Sequence, residues 1–248
     1  MRASIAFLLT AIFLSSCGGG SQANPEVFGA GRDQVWLFRA DTRPRAVVVF
    51  LHGFGGQVEQ TPANHRAWIK HLTVLGNAVV YPRYETVGNP APGPTIVRAV
   101  GGALERLDSN APLVVIGYSR GGRLAPDYAA LADASRKAAH PAAVIAVFPG
   151  SVTQGEQRVD LSTLDPRTRF LILVGDNDKT VGSQGASQML HRLEAAGFPP
   201  DHIEARIVHS HGSFLANHFS PLDDSSGARH AFWGAADRII NDSVLSSP

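Results

Sequence analysis

The sequence predicts an α/β fold built on a mostly parallel, doubly wound sheet. Apolar β-branched runs alternate with amphipathic helical patterns along most of the chain. Several of these runs are continuous, such as AVVVFL at 46–51, and continuous runs are typical of strands buried on both faces. The length of 248 residues, with 44% hydrophobic content, suits one globular domain.

The elements follow in order along the chain. Strands are expected at 34–40, 46–51, 77–82, 112–118, 142–148, 169–175 and 202–208. Helices are expected at 64–76, 95–107, 121–135, 183–197 and 228–244. The first strand, QVWLFRA, alternates polar and apolar residues and is expected to be half-exposed. The longest irregular stretch between strands is 149–168, which is too short for a large cap domain.

The N-terminus has the pattern of an export signal. Arg2 precedes a ten-residue apolar core at 5–14, which fits a signal peptide and is short for a membrane span. The following LSSC resembles the bacterial lipobox, which implies a signal peptide at 1–16 and lipidation of Cys17. A flexible tether at 17–32 is then expected. An outer-membrane location in the cell envelope is also expected, because the residue after Cys17 is Gly18 and not aspartate. The alternative is an ordinary secretory signal with an incidental cysteine.

Composition and charge argue against a nucleic-acid partner and against a disulfide-stabilised fold. The net charge is +1 and there is no basic run, so a nucleic-acid partner is not expected. Cys17 is the only cysteine, so the fold has no intrachain disulfide and rests on its core.

The pentapeptide GYSRG, at 117–121, lies between a predicted buried strand and a predicted helix. A direct turn from strand into helix holds its central residue, Ser119, in a strained conformation with the hydroxyl outward. Side chains at the two flanking positions would collide there, and Gly117 and Gly121 avoid the collision. The pattern therefore predicts a nucleophilic serine.

A serine nucleophile requires a base and a group that orients the base. The strand at 169–175 is followed by Asp176 and Asp178. Asp178 lies at the crest of the loop, where it is able to turn back toward a histidine, and is the preferred acid. Asp176 is interpreted as a cap for the turn or the following loop.

The base is expected after the last strand, where His209, His211 and His218 follow. His218 is preferred, and His211 stays open as the alternative. A histidine pair such as His209 and His211 without nearby acid or cysteine ligands is weak support for a metal, so no metal is expected.

Two backbone amides are candidates for an oxyanion hole, the site that binds the negative oxygen of the acyl-transfer transition state. Arg120 follows the nucleophile at a helix N-terminus, and its N–H is one candidate. The loop HGFGG follows the strand at 46–51, and its glycines favour the N–H of Phe54 as the second.

In this order, HGFGG, GYSRGG, VGDNDKTV and LANHFSPL resemble the α/β-hydrolase superfamily. The compact cutinase-like and polyester-hydrolase-like esterases and the dienelactone-hydrolase-like group are the most similar, and ANHF supports His218. The resemblance implies a single α/β-hydrolase catalytic domain at 33–248 with no large cap and an open cleft. Tyr84, Phe54 and Phe219 are candidates for its apolar walls or for core packing.

The expected function is hydrolysis of small-molecule or lipid-like carboxylic esters through an acyl-enzyme on Ser119, without a cofactor. Two alternatives stay open. The same triad serves a peptidase, thioesterase or acyltransferase, and the fold also serves as a non-catalytic binding module of an envelope lipoprotein.

Overall fold

A computed structural model describes residues 24–55, 59–84, 89–135, 139–152 and 157–246 of the protein. The predicted signal peptide and Cys17 lie outside the described residues. Within those residues, no helix is long and apolar enough to span a bilayer.

The described residues form one eight-stranded sheet. Its strands are β1 (Glu26–Phe28), β2 (Val35–Phe38), β3 (Val47–Leu51), β4 (Ala78–Pro82), β5 (Leu113–Tyr118), β6 (Ala143–Val147), β7 (Arg169–Gly175) and β8 (Ile203–Val208). Their order is β1-β2-β4-β3-β5-β6-β7-β8. Strands β3 to β8 are mutually parallel, whereas β2 runs antiparallel to β1 and β4. The predicted mostly parallel α/β sheet is confirmed.

Helices flank the sheet on both faces. They are α1 (Arg66–Val74), α2 (Pro92–Leu107), α3 (Arg120–Ser135), α4 (Gln184–Ala195), α5 (Ser226–Ala228) and α6 (Gly234–Leu245). A π-helical turn at Arg229–Trp233 joins α5 to α6. Helix α2 begins three residues before the predicted start at 95, because proline at its first position already has the φ angle of a helix.

The core has two layers, one on each face of the sheet. Along β3, Val47, Val49 and Leu51 pack with α2, α3 and α4. Val48 and Phe50 point the opposite way and pack with α1 and α6. Every residue of β3 is inaccessible to solvent, as the continuous apolar run predicts.

Strand β2 differs from the prediction of a half-exposed strand. All four of its residues are buried. The reason is its position: β1 covers one edge of β2, β4 covers the other, and core layers cover both faces.

The sequence pattern places residues 26–32 in a flexible tether, whereas in the structure they belong to the folded domain. Glu26 of β1 pairs with Arg39 at 2.8 Å, and the guanidinium of Arg106 lies 3.9 Å from the ring centroid of Phe28. A short run of three strand residues carries little periodicity, and this is why the sequence pattern missed it.

The carboxyl ends of the parallel strands meet at one rim of the sheet, where ligands bind in open α/β folds. Residues 149–152 and 157–168 are irregular apart from one 3₁₀ turn at Leu161–Thr163. No large cap domain is present in the described part of the chain.

Candidate active site

Ser119 occupies a sharp corner between β5 and α3. Its φ angle is +55°, in the left-handed region that side chains avoid. A Cβ atom on Gly117 would lie 2.2 Å from the carbonyl oxygen of Gly121, and one on Gly121 would lie 2.2 Å from that of Leu51. The glycines therefore permit the close approach of strand and helix that holds Ser119 at the corner.

Ser119, His218 and Asp178 form a continuous hydrogen-bonded chain. The Oγ of Ser119 lies 3.1 Å from Nε2 of His218, and Nδ1 of His218 lies 3.0 Å from Oδ2 of Asp178. The Asp178 carboxylate accepts a hydrogen bond from Nδ1–H, so Nε2 carries no proton and is able to accept a hydrogen bond from the serine hydroxyl. Both the Asp178 and His218 side chains are buried.

The loop after β7 fixes the direction of the Asp178 carboxylate. Its Oδ1 accepts the backbone N–H groups of Thr180 at 2.7 Å and Val181 at 3.1 Å. The second oxygen, Oδ2, is therefore directed to the imidazole of His218.

Asp176 has a different task in the same loop. Its carboxylate accepts the hydroxyl of Ser210 at 2.6 Å and the N–H of Ser210, and it contacts Nδ1 of His209 at 3.3 Å. The hydrogen bond from the Ser210 side chain is the main cause that lowers the pKa of Asp176. Asp176 thus anchors the loop that follows β8.

The structure separates the candidate bases. His211 and Phe214 close a tight turn through reciprocal backbone hydrogen bonds of 3.0 and 2.9 Å, and the His211 ring packs on Phe214. His209 contacts Asp176. Of the three histidines, His218 is the one within hydrogen-bonding distance of Ser119.

Two residues that contact the loop of His218 carried no recognised signal in the sequence. The hydroxyl of Tyr118 donates to the carbonyl oxygen of His218 at 2.8 Å. A Cβ on Gly175 would lie 2.0 Å from the carbonyl oxygen of Ala216, so glycine lets the histidine loop approach the end of β7. For Tyr118, the available signal in the sequence was its position next to Ser119 inside GYSRG.

The loop after β3 lies against Ser119. A Cβ on Gly53 would be 3.3 Å from Cβ of Ser119. The imidazole Nδ1 of His52 donates to the carbonyl oxygen of Gly53 at 2.7 Å. Because C=O and N–H of a trans peptide point in opposite directions, this bond orients the N–H of Phe54 away from His52.

The other predicted amide belongs to Arg120, the first residue of α3. The guanidinium of Arg120 lies 5.5 Å from the ring centroid of Phe54, so the two predicted oxyanion residues are neighbours. Backbone amides at the N-terminus of a helix favour negative charge nearby.

Burial keeps two histidines at and behind the loop after β3 uncharged. His52 and His65 are buried, and burial is the main cause that lowers the pKa of His52 to about 4 and of His65 to about 3. Both imidazoles are therefore neutral near pH 7. The neutral His52 keeps one ring N–H, which is the donor to Gly53.

The candidate wall residues divide into two groups. Phe54 and Phe219 are 67% and 64% exposed beside the hydrogen-bonded chain, as walls of an open cleft require. Tyr84 is fully buried; its ring stacks on His52 with centroids 4.2 Å apart, and its hydroxyl donates to the His52 carbonyl at 2.5 Å. Tyr84 therefore packs in the core rather than forming a wall.

Nothing in the described residues suggests a metal site: no group of three or more His, Cys, Asp or Glu side chains is placed to hold an ion there.

No protein-family model matches the chain, and no curated relative was found by sequence. Solved structures do match. An esterase B from Lactobacillus rhamnosis is 14% identical, with a TM-score of 0.66 over 86% of this chain and 82% of that one. Esterase 2 from Thermogutta terrifontis is 16% identical, with a TM-score of 0.63 over 90% of this chain and 93% of that one.

A protein assigned as a dienelactone hydrolase from Klebsiella pneumoniae is also similar. It is 16% identical, with a TM-score of 0.59 over 84% of this chain and 92% of that one. The Thermogutta esterase has also been seen phosphorylated by paraoxon. Together with the strand order and connectivity, these likenesses show that the chain has the α/β-hydrolase fold.

Proposed function

We propose that this protein is a serine hydrolase that cleaves carboxylic esters. The observation that carries the proposal is the hydrogen-bonded chain from Ser119 through His218 to Asp178 at the carboxyl rim of an α/β-hydrolase sheet. This arrangement of hydroxyl, imidazole and carboxylate is the one that activates a serine for acyl transfer. The esterase names of the structural neighbours support an ester as the substrate.

In the first half of the reaction, Oγ of Ser119 attacks the ester carbonyl carbon while Nε2 of His218 takes its proton. Asp178 holds the imidazole in the required tautomer and stabilises the imidazolium. The amides of Phe54 and Arg120 bind the oxygen that becomes negative. The intermediate then collapses: the carbon–oxygen bond to the alcohol breaks, and the imidazolium returns its proton to that alcohol.

In the second half, water attacks the acyl-enzyme. His218 takes a proton from the water, the acid is released, and Ser119 regains its proton. All the groups used belong to the chain, and the proposed scheme assigns no step to a cofactor or metal.

The test is turnover of p-nitrophenyl acetate and butyrate by the full chain and by Ser119→Ala. The variant is expected to lose on the order of 10³-fold or more in kcat/KM. Ser213→Ala, in the neighbouring loop, is the matched control and is expected to retain turnover. Activity of Ser119→Ala near the original rate would remove the serine from the mechanism.

The same arrangement of residues serves peptidases, thioesterases and acyltransferases. A panel of amide, thioester and ester substrates, compared by kcat/KM, separates these reactions, and esters are expected to be turned over fastest. A non-catalytic binding module would turn over no member of the panel and would leave Ser119 unlabelled by paraoxon.

The proposal places this hydrolase in the bacterial cell envelope, anchored through a lipid on Cys17. Its support is the apolar core at 5–14 followed by LSSC, and the outer membrane is favoured because Gly18 follows the cysteine. Radiolabelled palmitate is expected to enter the full chain, whereas Cys17→Ser is expected to stay unlabelled and to leave the membrane fraction. Equal labelling of both would refute the anchor.

A further inference from the structure

Tyr118, the residue before Ser119, makes a contact that proton transfer does not itself require. Its side chain lies on the sheet face that packs with α1 and α6, together with Val114 and Ile116. There its hydroxyl donates to the carbonyl oxygen of His218 at 2.8 Å. Residues 100 positions apart in the chain are thus joined directly beside the reacting pair.

The other hydrogen bonds described for His218 are made by its ring. Asp178 binds Nδ1, and Ser119 lies at Nε2. The ring also packs against the rings of Tyr118 and Phe148, with centroids 5.2 and 5.6 Å away. The ring of Phe219 adds a third contact, with centroids 5.7 Å apart. These contacts set the plane of the imidazole, whereas the position of the His218 backbone sets how far Nε2 reaches toward Ser119.

The hydrogen bond from Tyr118 holds that backbone at a fixed place relative to β5. Tyr118 and Ser119 are adjacent in the chain, so the donor moves with the nucleophile. Its acceptor is the backbone of the base. The link is short and rigid, because the aromatic ring has few rotatable bonds and Tyr118 is 5% exposed.

We propose that Tyr118 is a positioning residue whose hydroxyl ties the backbone of His218 to the strand that carries Ser119 and so sets the distance between nucleophile and base. This inference rests on the proposed serine-hydrolase function. The hydroxyl keeps its proton near neutral pH and stays a donor. Burial, assisted by the charge of Asp178, raises the pKa of Tyr118 well above its usual value.

A bond that only stabilises the fold would have different consequences, and the chain offers a matched control. Tyr128, in α3, is also buried, and its hydroxyl donates to the carbonyl oxygen of Ala139 at 3.2 Å. The change Tyr128→Phe therefore deletes the same atom and the same kind of bond away from Ser119.

The experiment compares full-length wild type, Tyr118→Phe, Tyr128→Phe and Ser119→Ala on p-nitrophenyl butyrate. For wild type and the two tyrosine variants, rates are expressed per site titrated to completion with a fluorophosphonate, so unfolded protein is not counted. Ser119→Ala has no site to titrate, and its rate is expressed per mole of protein shown to be folded by circular dichroism. For Tyr118→Phe, kcat is expected to fall about 10- to 100-fold with KM within about twofold, because a small displacement of the base slows the chemical step. The rate of fluorophosphonate labelling is expected to fall in parallel, and Tyr128→Phe is expected to keep both rates within about twofold.

Three outcomes overturn the inference. If Tyr118→Phe keeps wild-type kcat, or loses no more than Tyr128→Phe, Tyr118 does not position the base, while an inactive Ser119→Ala leaves the hydrolase function standing. If Tyr118→Phe raises KM with kcat unchanged, the hydroxyl serves substrate binding instead. If Ser119→Ala retains turnover, the proposed function fails and the positioning role fails with it.

Discussion

The corner that carries Ser119 and the loop that carries His218 reach the same hydrogen bond by different means. The corner is shaped by backbone contacts between near neighbours in space, at Gly117 and Gly121, which leave no room for a side chain. The histidine loop is held by hydrogen bonds from distant side chains: Tyr118 binds the His218 carbonyl, and Asp176 binds Ser210.

The difference teaches how each half of the site is encoded. The close backbone contacts at the corner require glycine at two fixed positions, so a short sequence motif is enough to predict them. The loop depends on which side chains the fold brings near it, and sequence spacing does not contain that information. We therefore expect substitutions of the corner glycines to be strongly destabilising, and substitutions that remove a hydrogen bond of the histidine loop to have smaller, graded effects.

The largest effect is expected from removing the base. His218→Ala should lower kcat/KM on p-nitrophenyl butyrate on the order of 10³-fold or more, because no group is left to take the serine proton. His211→Ala is the matched control: His211 lies in the same loop but closes a turn with Phe214 through backbone groups, so activity should stay within about twofold. Loss of activity in the control but not in His218→Ala would reverse the assignment.

A methyl group at the corner is expected to have the next largest effect. In Gly121→Ala the new Cβ would meet the carbonyl oxygens of Leu51 and His52 at 2.2 and 2.6 Å, and neither backbone atom is able to move freely. We expect a loss of more than about 3 kcal/mol in the free energy of unfolding, measured by urea denaturation.

The control for the corner is Gly101→Ala. Gly101 lies within α2, and a Cβ there would meet no atom within 4 Å. Because alanine favours the helix, we expect a gain of about 0.5–1 kcal/mol. A stable, active Gly121→Ala would show that the corner is not set by sterics.

Acid should destabilise the protein through His52 and His65, the two buried histidines at and behind the loop after β3. The pKa values of His52 and His65 are about 4 and about 3 in the folded protein, against an ordinary 6.5. Between pH 6.5 and 4 the unfolded chain binds protons that the folded protein does not, so stability falls as the pH falls, by on the order of 3 kcal/mol for each histidine. Denaturation at several pH values measures this slope.

Replacement of one histidine tests the source of the slope. His65→Phe should flatten the dependence in this window, whereas His191→Ala, at an exposed position of α4, should leave it unchanged. The pKa of Asp176 is lowered in the folded protein, so this carboxylate stabilises the fold above its ordinary pKa of 3.8. That stabilisation is lost only as the pH falls below 3.8, outside the window. An unchanged slope in His65→Phe would contradict the assignment.

The smallest effect is expected from loosening the histidine loop at its far anchor. Asp176→Ala removes the acceptor of Ser210 but no group in the hydrogen-bonded chain. We expect kcat to fall about 3- to 10-fold with KM nearly constant, since the base is displaced only part of the time. A loss as large as that of His218→Ala would mean that the anchor and the base are not separable.

The sequence predicted the fold and the corner because both depend on local patterns. Continuous apolar runs identified the parallel strands, and glycine spacing identified Ser119. The exposure of β2 was wrong because it depends on β1, a strand three residues long that lies within the predicted tether. Helix α2 began earlier than predicted because proline was interpreted as part of a loop.

The positions of the acid and base were only partly contained in the sequence. Both Asp176 and Asp178 follow β7, and only the fold shows that one binds Ser210 and the other His218. The hydrogen bonds of Tyr118 and His52 were not predicted for the same reason, since each is made to a backbone carbonyl that no side-chain pattern records.

The central claim is that His218 activates Ser119, and covalent labelling measures this most directly. The full chain is treated with a fluorophosphonate, the adduct is located by peptide mass, and the second-order rate constant is compared among wild type, His218→Ala and His211→Ala. We predict an adduct on Ser119 that forms at the wild-type rate in His211→Ala and on the order of 10²-fold or more slowly in His218→Ala. An adduct at another residue, or an unchanged rate in His218→Ala, would contradict the account.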